Sequence, residues 1–98
     1  MKRDGHQGVI GSLELEILET LWQRHSASGK EIFEAIKSRR AIALTTVLTV
    51  LERLTKKRFV RRAMGESVYV YSPVPNRDEL ARLVSRDVLK GIMEMGTP

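Results

Sequence analysis

Thr45, Thr46, Thr49, Arg53 and Lys56 recur at the spacing of one helical face. Set at 100° steps with Thr45 at zero, they and Glu52 fill an arc from about 340° round to about 100°. Val47, Val50, Leu51 and Leu54 fall between about 140° and 240° on the same wheel. One flank is therefore short hydroxyls with long cations, and the other is apolar. Hydroxyls donate and accept hydrogen bonds, and a Thr methyl packs on a thymine methyl, so this flank suits base edges in a major groove. Arg53 has the length to reach a base or a phosphate, and Lys56 is assigned to phosphate. A capping role for Thr45 or Thr46, beside the poor cap Ala43, explains one threonine and not three on one face.

A second cluster follows. Within Arg53–Arg62 six of ten residues are basic and none is acidic. Residues 30–62 carry ten Lys or Arg against three acids, a net +7, so the rest of a chain with overall charge +5 sums to −2. Such a concentration is either a solvated face or an electrostatic footprint for nucleic acid. Arg61 and Arg62 sit on an expected strand and point to opposite faces, so at most one faces the core. The other reaches a phosphate or a minor groove, unless it only guards a sheet edge against pairing. Tyr69 and Tyr71 alternate with valine, which favours packing against the third helix over stacking on bases.

Other chemistries find no residues to carry them. The sequence has no cysteine and two histidines, His6 and His25, both read as solvated, so no metal site is expected. No Ser/His/Asp set, H-E-x-x-H pair or phosphate-binding Gly loop can be assembled, and no catalytic residue or cofactor is assigned. Glu14, Glu16 and Glu19 are read as ordinary solvated acids. No apolar run approaches a membrane span or a signal peptide, so a cytoplasmic chain without membrane insertion is expected.

The elements that must position these residues follow from capping and periodicity. Its 98 residues suffice for one domain, and 42% hydrophobic content supplies a core. Residues 1–11 hold three glycines and read as a flexible tail. Ser12 is expected to cap a first helix to about Arg24, with Leu13, Ile17, Leu18, Leu21 and Trp22 as its apolar stripe. Ser28 and Glu31 form a capping box for a short second helix, about Gly29 to Lys37, burying Ile32, Phe33 and Ile36. A third covers about Leu44 to Lys57. Strands Phe59–Met64 and Val68–Ser72 flank a Gly65–Ser67 turn. Arg58 stands at the sharp turn between helix and strand and is expected at positive φ. Asn76 and Glu79 open a fourth helix towards Met93. The fold class is mainly α with a small β-hairpin: a winged helix-turn-helix over residues 12–74, then a C-terminal helix in 75–98.

LELEILETLW (Leu13–Trp22), TTVLTVLERLTKK (Thr45–Lys57) and YVYSP (Tyr69–Pro73) resemble the penicillinase-repressor family, in order and over nearly the whole chain. The resemblance implies a winged-helix repressor of palindromic promoter elements, dimeric through C-terminal helices. In some members a membrane-bound sensor peptidase triggers inactivation, so a sensor peptidase is a partner implied by the resemblance alone. The family's recognition helix falls on Thr45–Lys57 and its wing on Phe59–Ser72. Copper-responsive members carry C-terminal cysteines that this sequence lacks. The family usually has Lys-Gly where Lys57-Arg58 stands here, and it continues into a further dimerisation helix beyond the point where this sequence stops.

The fourth segment bears apolar residues on more than one side: Leu80, Leu83, Val84, Leu89, Ile92 and Met93 are expected at a homodimer interface. The favoured function is a sequence-specific repressor binding operator DNA as a dimer. The alternative is a winged-helix module that binds proteins, which an apolar or acidic face on the third helix would have favoured.

Overall fold

Helix α1 (Ser12–Arg24) begins with Gly11 as N-cap, one residue before the expected Ser12. Glu14 makes that start possible, because its Oε1 accepts the Gly11 N–H at 2.9 Å. The computed structural model describes residues 10–83, and Gly11–Val74 form one compact unit. After α1 come β1 (Ala27–Ser28), α2 (Gly29–Ile36), α3 (Leu44–Lys56), β2 (Val60–Met64) and β3 (Tyr69–Pro73). The Ser28–Glu31 capping box forms as expected, the Ser28 N–H donating to Glu31 Oε1 and the Glu31 N–H to Ser28 Oγ.

The core is aliphatic. Ile17, Leu18 and Leu21 of α1, Ile32 and Ile36 of α2, and Val47, Val50, Leu51 and Leu54 of α3 are buried together with Val60 and Tyr71. Trp22 and Phe33, expected inside, are only half-buried. Phe33 keeps one face outward, where the Lys37 ammonium lies 5.5 Å from the ring centroid.

Helix α3 ends in a Schellman motif. Phe59 N–H bonds the Leu54 carbonyl and Arg58 N–H the Thr55 carbonyl, both at 3.0 Å. Arg58 takes φ 67°, the left-handed conformation that motif requires and that suits glycine best.

The expected two-stranded wing is a three-stranded antiparallel sheet in the order β1-β3-β2. Two residues, the second of them the N-cap of α2, offer no alternation from which to read β1. Ala27 pairs with Tyr71 and Ser28 with Val70, which ties the start of α2 to the sheet. The hairpin turn has four residues rather than three, closed by Gly65 N–H to Val68 O at 2.7 Å. Val68 therefore sits in the turn and not in a strand.

Beyond the compact unit, the Asn76 and Glu79 side chains make their expected reciprocal bonds, and the chain is helical from 77 to 83, where the description ends. Leu80 is buried in the single chain and Leu83 exposed. Val84, Leu89, Ile92 and Met93 lie outside the described residues, as do residues 1–9 of the expected tail.

Arg58→Gly should stabilise the protein by about 0.5–1 kcal/mol, the relief of a left-handed side chain less the added freedom of an unfolded glycine. Urea denaturation checks this, and a less stable variant would mean that the arginine side chain contributes more than its backbone costs.

Candidate nucleic-acid interface

Helix α3 arrives at its position through the turn after α2. Arg39 and Arg40 N–H both bond the Ile36 carbonyl, and their side chains meet Glu16 of α1 at 2.8 and 3.0 Å. Glu16 thus holds the turn that launches α3. At the other end, Lys57 Nζ lies 2.9 Å from Glu14 Oε2, with Glu14 only 7% exposed. Both acids were expected to be solvated. Their partners lie more than twenty residues away in sequence, beyond the reach of local pattern.

With α3 fixed at both ends, its outer arc is open. Thr45, Thr46, Thr49, Arg53 and Lys56 are all exposed, and the four aliphatics opposite are buried. Ala43 is the N-cap and offers no side-chain acceptor, so neither Thr45 nor Thr46 is the cap. Thr20 and Thr55 spend their hydroxyls on carbonyls four residues back, at 3.0 and 2.8 Å. The hydroxyls of Thr45, Thr46 and Thr49 make no such bond and remain available. The Thr46 N–H bonds the Ala43 carbonyl at 3.1 Å, whereas the Leu44 and Thr45 N–H groups before it have no intrahelical acceptor and lie at the positive end of the helix dipole.

The cations divide into two groups. Lys57, Arg39 and Arg40 are committed to α1 carboxylates. Lys56 has only a loose 3.9 Å contact to Glu52 with both side chains in water. Arg53, Arg58, Arg61 and Arg62 are exposed. Neither wing arginine faces the core, because only Val60 of β2 is buried and the strand runs out past the core after it. Cross-strand partners share a face, so Arg62 lies with Tyr71 and Met64 with Tyr69, whereas Arg61 lies opposite with Ser72. Tyr71 is buried as expected, but β3 leans on α1 and α2, and Tyr69 is exposed. Arg62 stacks over the Tyr69 ring, its Cζ 4.3 Å from the centroid.

Among the described residues no cluster of His, Cys, Asp and Glu could hold a metal, and no helix is long and apolar enough to cross a membrane.

Over residues 10–98 the sequence matches the profile of the penicillinase repressor family. The chain belongs to that family. It is 36% identical over 89 residues to the transcriptional regulator BlaI of Mycobacterium tuberculosis, covering 90% of this chain and 64% of that one. Identity to the penicillinase repressor of Staphylococcus aureus is 26% over 83 residues, 85% of this chain and 66% of the relative. The chain thus spans just under two thirds of these relatives' length. Among solved structures, the DNA-binding domain of the repressor BlaI superposes with a TM-score of 0.66 at 24% identity, over 78% of this chain and 93% of that one. The YusO protein of Bacillus subtilis gives 0.63 at 23% identity, over 91% and 61%. These likenesses fix the family's fold here as a winged helix, with α2 and α3 as its helix-turn-helix.

Two adjacent lysines should behave differently. Lys57→Ala leaves Glu14 buried without its cation and should cost roughly 1–3 kcal/mol of stability, less than a fully buried pair because Lys57 is partly solvated. Lys56→Ala should leave stability within about 0.5 kcal/mol. Thermal unfolding of both variants decides the matter, and equal effects would remove the division between structural and free cations.

Proposed function

We propose that this chain is a sequence-specific, DNA-binding transcriptional repressor that reads palindromic operator DNA as a homodimer. The observation that carries this reading is the arc of α3. Three uncommitted threonine hydroxyls stand on the exposed face of a helix whose other face is buried, at an N-terminus without a side-chain cap and on the same arc as the exposed cations Arg53 and Lys56. A helix presenting donors, acceptors and methyls on one side fits the major groove, the groove that distinguishes all four base pairs. Family membership supports the same reading, as does the name of the M. tuberculosis relative.

In this reading Thr45, Thr46 and Thr49 contact base edges. Arg53 reaches a base or phosphate, Lys56 a phosphate, and the wing arginines flank the groove. The protein acts by occupying DNA rather than by catalysis, and it works in the cytoplasm. Dimerisation is assigned to the C-terminal segment through Leu80, Leu83, Val84, Leu89, Ile92 and Met93, of which only Leu80 and Leu83 lie among the described residues. A recognition helix covers only part of an operator, so a palindrome calls for two. A sensor peptidase that inactivates the repressor remains part of the proposal through the family alone.

Salt dependence tests both the partner and the stoichiometry. About four phosphate contacts per protomer give a dimer a slope of log affinity on log salt near −7, and a single protomer about −3.6. Fluorescence anisotropy on a duplex selected by the chain from a random pool reads that slope. A value shallower than about −2 would remove DNA as the main partner. On the same duplex, Thr49→Ala should relax preference at one base position of the half-site by roughly 1–3 kcal/mol.

A further inference from the structure

An apolar groove of about 410 Å³ runs between the N-terminal half of α3, the start of α2 and the wing. Leu44 and Leu48 of α3 form one wall, and Met64, Val68 and Tyr69 of the wing the other. Four of these are open to water, with Met64 63% and Val68 54% exposed. Large aliphatic side chains clustered on a small, highly charged domain mark a contact surface. Nothing in the arc of threonines and cations accounts for them.

Several observations identify the occupant. The groove is continuous with the α3 arc, since Leu48 lies one turn from Thr45 and next in sequence to Thr49. Its one charged lining residue is Lys30, and no carboxylate lines it. At its wing side the Arg62 guanidinium carbon lies over the Tyr69 ring, 4.3 Å from its centroid, on the sheet face that carries Met64. A guanidinium stacked on a ring keeps its in-plane N–H donors free, and the stack holds them in one orientation. That planar fork matches two oxygens of a phosphate. The groove therefore offers an apolar floor between a lysine on one side and an oriented arginine on the other. A sugar–phosphate strand has the complementary profile, with apolar deoxyribose faces between regularly spaced anions.

We propose that this groove seats one strand of the operator backbone, with deoxyribose against Leu48, Met64 and Val68 and a phosphate gripped by Arg62, for which Tyr69 is the positioning residue. This rests on the DNA-binding reading and extends it: the wing adds apolar contact area as well as charge. Arg62 rather than Arg61 becomes the wing's groove-facing cation, because Arg61 lies on the other face of the sheet.

The test uses the full chain and the duplex it selects from a random pool, with anisotropy titrations over a range of salt. Arg62→Gln should weaken binding about tenfold and make the slope shallower by roughly one unit. Met64→Ser combined with Val68→Ser should weaken binding about five- to twentyfold with the slope unchanged, because no ion is released. Both side chains are exposed, so the fold survives their loss. Tyr69→Leu should weaken binding several-fold and make a following Arg62→Gln change nearly silent, whereas Tyr69→Phe should restore wild-type behaviour. Wild-type affinity in the Met64/Val68 double variant would overturn the proposal and assign the groove to a protein or small apolar ligand instead. An unchanged slope in Arg62→Gln would also overturn it. In either case a retained effect of Thr49→Ala shows that DNA binding itself stands. Loss of the steep wild-type slope would mean instead that the functional reading had failed.

Discussion

Helix α3 must keep one side in the core while the other stays open to a partner, and every other feature of the candidate interface depends on that division. Val47, Val50, Leu51 and Leu54 hold it there. Fully burying such side chains contributes about 1.5–3 kcal/mol each, as an upper estimate, against about 0–1 kcal/mol for an exposed ion pair. Apolar burial therefore decides that α3 docks, and which arc points outward follows from the same four residues. The polar clamps do something narrower. Glu16 holds the turn before α3 and Glu14 the lysine after it, so two carboxylates two residues apart on α1 fix both ends of the helix.

This arrangement explains how a strongly basic chain can have a selective face. Positive charge near α3 is not spent uniformly. Arg39, Arg40 and Lys57 are tied to two α1 carboxylates, whereas Arg53, Lys56, Arg58 and the wing arginines are exposed without an α1 partner. Of these, Arg53 and Lys56 share the exposed arc of α3 with the three free threonine hydroxyls. Hydroxyls that bond their own helix, as those of Thr20 and Thr55 do, have spent their donor on the backbone. The absence of a side-chain cap at Ala43 leaves the helix N-terminus open.

Much of this was legible in the sequence, wherever a short-range rule governed. The 3.6-residue period separated the two faces of α3 correctly residue by residue, and both described capping boxes formed where their Ser-x-x-Glu and Asn-x-x-Glu patterns stood. The positive φ of Arg58 followed from the sharp turn between a helix and a strand. What the sequence concealed was set by distant contacts. Strand β1 exists because β3 pairs with it, not because Ala27 and Ser28 prefer extended backbone. Glu14 and Glu16 looked like first-turn acids until the fold brought Lys57 and the Arg39–Arg40 turn against them. The groove needed Leu48, which falls between the two arcs of the wheel, and a four-residue turn that frees Val68 from its strand.

Amide chemical-shift mapping of the full chain, titrated with the duplex it selects from a random pool, tests the central claim most directly. The largest changes are expected at Ala43–Arg53 and along Arg62–Tyr69, with the buried face of α1 little affected. Changes concentrated on α1, with α3 and the wing silent, would contradict it.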